Sequence, residues 1–148
     1  MLLLKNFNMD KNLITSLLII VIVISTTVSI LSFYQKEADP HADIIKLFSP
    51  LPNSLVSSPL SIEGIARGNW YFEASFPVYL YDSNGVEIAV TPAQAQGEWM
   101  TKDFVPFKAI LNFSTPSTPA GTLILKKDNA SGLPEFDDQV SIPIRFSQ

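Results

Sequence analysis

Six oxygen-bearing side chains crowd into one short segment of this chain, residues 128–138, with the sequence DNASGLPEFDD. Hard oxygen donors hold calcium when enough of them converge, so Asp128, Glu135, Asp137 and Asp138 are the candidate metal ligands. Their spacing matches no defined calcium loop. The competing reading is a solvated acidic turn, because Asp and Asn also close turns through bonds to their own backbone.

A second group of residues suits recognition rather than metal binding. Read as one strand, Tyr71 to Tyr81 places Tyr71, Tyr79 and Tyr81 on a single face at period two. Tyrosine rings stack on sugar faces, bury in protein interfaces, or pack beneath a covering loop. How far that face is buried decides among the three. Trp70 and Trp99 could extend such a patch, although packing in the core or at a sheet end is the simpler role for both.

Covalent chemistry has little to work with. The chain has one histidine, His41, and no cysteine, so no base stands ready to activate a serine or threonine, and thiolate chemistry is excluded. Scattered acids yield some carboxylate pair by chance, which is no evidence for glycoside hydrolysis. The expectation is a protein that is not an enzyme and needs no cofactor. Between residues 43 and 148, eleven acidic residues outnumber seven basic ones. That balance argues against a nucleic-acid partner, which would need clustered cations to displace phosphate counterions.

The elements that must position these residues read as β-strands. From Ile44 onward, short apolar alternations are broken by turn residues, with no helical period. Strands are expected at Ile44–Leu47, Pro59–Gly68, Tyr71–Tyr81 and Val86–Val90. A fifth has Val105, Phe107, Ala109, Leu111 and Phe113 pointing one way. A sixth spans Thr122–Lys127, and in a seventh Val140, Ile142, Ile144 and Phe146 alternate with Ser141, Pro143 and Arg145. In the third strand Phe72, Ala74, Phe76, Val78 and Leu80 are assigned to the core; in the fourth, Val86, Ile88 and Val90. Asn84-Gly85 fits a type I′ hairpin turn, and Pro143 demands an N–H side without a partner strand. Seven short strands over about a hundred residues match an immunoglobulin-like β-sandwich of two antiparallel sheets, residues 44–148. A small barrel is the alternative.

Ahead of this domain stands Leu13–Phe33, a run of 21 residues without charge, proline or glycine. A helix of that length crosses the roughly 30 Å apolar core of a bilayer. Lys5 and Lys11 precede it, whereas Glu37, Asp39 and Asp43 outweigh Lys36 after it, so residues 1–12 form a cytoplasmic tail and the C-terminal domain lies outside. A cleaved signal peptide would have a shorter apolar run ending in small residues. The expected element is therefore a retained transmembrane helix, 13–33, acting as a signal anchor. Residues 34–43, interrupted by Pro40, read as a stalk that reaches at most about 35 Å, with His41 solvated inside it.

The runs SPLPNSLVSSPLSIEGIARG, WYFEASFPVYLYDSNG, WMTKDFVPFKAILNF, GTLILKKDN and VSIPIRF together resemble the immunoglobulin-like domain of bacterial spore germination proteins, the second GerMN-associated domain, over about residues 44–147. The resemblance implies an extracytoplasmic bacterial module with no assigned catalytic residues. No GerMN partner domain accompanies it here, so a sporulation role is not carried over. Two functions are expected in consequence. One is a membrane-anchored, noncatalytic binding module that recognises an envelope protein or a cell-wall polymer; the other is a structural spacer or assembly component of an envelope complex.

Overall fold

A computed structural model of the chain describes residues 10–34 and 40–147, with side chains given for all of these except 27–34. It divides into two units, Met1–Ala38 and Asp39–Gln148.

In the first unit, helix α1 spans Lys11–Tyr34. Asp10 caps its start, accepting the Asn12 N–H at 3.1 Å, as a carboxylate suits the free amides there. Leu13, Ile14 and every residue from Leu17 to Ile24 are exposed within the chain, so the described helix is apolar all round. Three of its hydroxyls turn onto the backbone: Thr15, Ser25 and Thr26 donate to the carbonyls of Lys11, Ile22 and Val23 at 2.8–2.9 Å. Among the described residues, no helix is long and apolar enough to cross a membrane. Side chains are given for residues 11–26 of α1, a length of roughly 24 Å.

The second unit is built from eight strands: β1 (Ile45–Ser49), β2 (Leu55–Val56), β3 (Leu60–Arg67), β4 (Ser75–Asp82), β5 (Glu87–Ala95), β6 (Phe104–Leu111), β7 (Ala120–Lys126) and β8 (Gln139–Phe146). They form one continuous ladder in the order β1-β3-β6-β5-β4-β7-β8-β2, rather than two separate sheets of about seven strands. The extra strand is β2, which pairs in parallel with the end of β8 inside what reads as a proline-rich loop. The join between layers is β5. It follows β4 from Glu87 to Gln94, then pairs with β6 through Gln94 and Ala95. The sheet therefore curls, and its inner faces meet: Phe76 of β4 lies edge-on to Phe107 of β6 at 4.9 Å.

Where the alternation is uninterrupted, burial follows it. In β3, Leu60, Ile62 and Ala66 are buried; in β6, Val105, Phe107, Ala109 and Leu111; in β7, Leu123 and Leu125. The two prolines facing each other in β4 and β5, Pro77 and Pro92, both lie where the strand has no partner on its other side, so neither leaves a carbonyl waiting for an N–H. Pro143 of β8 is likewise paired on one side, opposite Thr122.

The third and fourth expected strands need correction. Tyr71–Tyr81 is not one strand. A 3₁₀ turn at Gly68–Trp70 leads to a hairpin in which Phe72 and Ser75 exchange hydrogen bonds at 3.0 and 3.1 Å. Glu73 and Ala74 fill its tip with φ of 50° and 63°, the conformation of a type I′ turn. Phe72 is consequently 43% exposed rather than in the core. In β5 the register slips opposite Leu80 and Tyr81, which reverses the facing of the residues beyond the slip. Val86 and Val90 are 59% and 52% exposed, and Ala93 is the fully buried residue.

Candidate functional site

The outer face of the layer formed by β5, β4, β7 and β8 is the most site-like surface. Along β4, Phe76, Val78 and Leu80 fill the core while Pro77, Tyr79 and Tyr81 point out, half-buried. The rings of Tyr79 and Tyr81 stack at 6.2 Å with 30° between planes, and the Tyr81 hydroxyl donates to Glu87 Oε2 at 3.2 Å. Burial among neighbours, and then the adjacent Glu87 carboxylate, push the Tyr81 phenol above its ordinary value.

The registers supply the rest of this face. Tyr79 stands opposite Val90 on one side and Ile124 on the other; Thr122 lies beside Tyr81, and Ser141 and Pro143 continue the face onto β8. Val90, Tyr79 and Ile124 thus make an uncharged row across three strands. Glu87 and Lys126 mark opposite corners of the face. At the Pro77 end, a shallow depression of about 300 Å³ is lined by Pro77, Val90, Thr91, Pro92 and Asp128. Such a face offers ring stacking, apolar contact and one carboxylate acceptor.

Tyr71 does not belong to it. The 73–74 turn reverses its side, so it is 4% exposed and donates its hydroxyl to the Val105 carbonyl at 2.8 Å. Its ring meets Phe76 at 5.2 Å, and burial raises its phenol well above the ordinary tyrosine range. Trp70 is 1% exposed, with a buried Nε1 that has no partner among the described residues. Trp99 is partly buried against the core.

The acidic segment takes the turn-forming arrangement. Asn129 organises it, donating to the Leu133 carbonyl at 2.8 Å and to Asp137 Oδ1 at 2.9 Å while accepting the Ser131 N–H at 3.2 Å. Asp138 Oδ1 accepts the Gln139 N–H at 2.9 Å. Among the described residues, no three His, Asp or Glu side chains converge where they could hold a metal ion. Asp128, Glu135, Asp137 and Asp138 lie in this one loop.

The reading of His41 as a solvated linker residue is also corrected. Its Nε2 lies 2.8 Å from Asp138 Oδ1, with both side chains largely covered, at 25% and 34% exposure. The ring is edge-on to Trp70 at 6.4 Å. Residues 40–43 are folded against the domain: the Ile44 and Ile45 amides donate to the His41 carbonyl, and Arg67 Nε donates to the Asp43 carbonyl at 3.0 Å.

A family model described as the immunoglobulin-like domain of bacterial spore germination, Gmad2, matches residues 44–132. The match takes in β1 to β7 and ends within the acidic segment, and β8 completes the sheet beyond it. No curated protein and no solved structure matches the chain.

Proposed function

This chain belongs to the Gmad2 family, the immunoglobulin-like domain of bacterial spore germination, and on that footing we propose that it is a noncatalytic binding module of a bacterial cell envelope. It is held by α1 at the outer side of the cell membrane and meets an envelope protein or a cell-wall polymer through the face carrying Tyr79 and Tyr81. The observation that carries the reading is the uncharged row Val90–Tyr79–Ile124, with Val90 52% exposed. A hydrophobic β-branched residue beside two stacked phenols on an outer sheet face is a feature that a solvated surface does not need.

The anchoring role is supported by the helix itself. From Leu17 to Ile24 its side chains are apolar on every face, and the hydroxyls of Thr15, Ser25 and Thr26 are satisfied by its own backbone. That is what a lipid environment requires, since hydrocarbon supplies no partner for a polar group. With Lys11 at its N-terminal end and acidic residues following it in the sequence, the positive-inside rule directs the sheet domain outward.

Two experiments test the two halves separately. In intact cells, the domain should be digested by external protease while the chain stays in the alkali-washed membrane fraction; loss from that fraction would end the anchoring half. For binding, purified peptidoglycan retention and in-membrane crosslinking are compared for the native chain and Tyr79→Ser/Tyr81→Ser. Capture of either kind that is lost in the variant supports the face. Capture that persists unchanged rejects it and favours a spacer role.

A further inference from the structure

We infer that His41 and Asp138 form a clasp that docks the segment entering the domain onto the 127–138 loop, so that each is held in order by the other. The inference rests on residues 40–138 alone and does not depend on where α1 resides.

The pair joins positions 97 residues apart in sequence at 2.8 Å. On one side, His41 closes the turn that begins β1, its carbonyl accepting the Ile44 and Ile45 amides at 2.8 and 2.9 Å. On the other, Asp138 ends the acidic loop: its carbonyl accepts the Lys127 amide at 2.9 Å, and its carboxylate caps Gln139 at the start of β8. The imidazole is also the outermost of a series of rings. It meets Trp70, Trp70 meets Phe76 at 6.4 Å, and Phe76 meets Phe107 at 4.9 Å, so the entry segment abuts the buried core.

What holds the segment is local and partly solvated. Besides the His41 contacts, Arg67 Nε binds the Asp43 carbonyl while its guanidinium lies 4.0 Å from the centre of the Phe104 ring. Release of His41 takes from the Asp138 carboxylate its partner across the contact. The clasp therefore couples the order of residues 40–44 to the order of the 127–138 loop, each holding the other in place.

Hydrogen exchange on the full chain tests it, using His41→Ala, Asp138→Ala and the double variant, with thermal melting alongside. Each single variant should speed exchange about tenfold at both ends of the contact, at Ile44 and Ile45 and at Lys127 and Gln139, as expected for losing one charge-assisted bond. The double variant should exchange more slowly than the product of the two single effects. Unchanged exchange, loosening confined to the mutated side, or multiplicative effects in the double variant would each overturn the clasp. If either alanine variant fails to fold, Asp138→Asn carries the test through the distant Ile44 and Ile45 amides: faster exchange there supports coupling, and native exchange rejects it.

Discussion

Replacing Tyr71 by Phe separates the one buried tyrosine of the expected trio from the two on the surface. The ring would keep its contact with Phe76 at 5.2 Å, while the hydroxyl bond to the Val105 carbonyl at 2.8 Å would be lost. That carbonyl sits in β6 beneath a residue 4% exposed, so water is poorly placed to replace the donor. Losing a buried neutral bond and stranding its acceptor costs about 1–2 kcal/mol. In a domain of about a hundred residues each kcal/mol is about 4–8 °C in Tm, so Tyr71→Phe should melt about 5–15 °C lower. Tyr79→Phe and Tyr81→Phe, whose hydroxyls are at the surface, should melt within about 2 °C of the native protein. Alkaline pH adds a second readout. Burial raises the Tyr71 phenol in the folded state, whereas the unfolded chain ionises near the ordinary value of about 10. Folding is thus fully favoured by this group below about pH 10 and loses that contribution as pH climbs from there towards the raised folded value. The native Tm should fall more steeply than that of Tyr71→Phe above pH 10. A variant that melts with the native protein and shows a parallel alkaline decline would refute the buried placement of Tyr71.

Glu73 and Ala74 adopt positive φ without being Gly or Asn, so Glu73→Asn with Ala74→Gly should stabilise the domain by about 1 kcal/mol in denaturant melts. Gly121 should tolerate no side chain: a Cβ there would collide with the Tyr81 carbonyl and lie 2.6 Å from Cζ of Phe146. Gly121→Ala is expected to cost about 3 kcal/mol or more, seen as a collapse of Tm or of soluble yield. Because no three acidic or histidine side chains converge among the described residues, added calcium and EDTA should leave Tm within about 1 °C of each other. A chelator-reversible rise of several degrees would restore Asp128, Glu135, Asp137 and Asp138 as ligands.

Strand alternation told the truth about this chain only as far as the next change of register. β3, β6 and β7 run without interruption, and in β6 the residues that the pattern puts on one face, such as Phe107 and Leu111, are buried. Two events broke the pattern elsewhere, and neither has a sequence signature. The turn at Glu73–Ala74 carries no Gly, Asn or Pro, so nothing in the composition warns that Tyr71 and Phe72 exchange sides. The slip opposite Leu80–Tyr81 inserts one residue into β5, and with a side-chain period of two, one residue is enough to move Val90 from core to surface. The candidate face is the product of both. The first event removes Tyr71 from the row, and the second delivers Val90 beside Tyr79, replacing an expected line of three tyrosines along one strand with a patch spanning several. The clasp lies further still from local reach, because His41 and Asp138 meet only after the whole sheet has curled. A surface assembled across strands is set by register, so its residues become legible only once every turn and bulge between them has been placed.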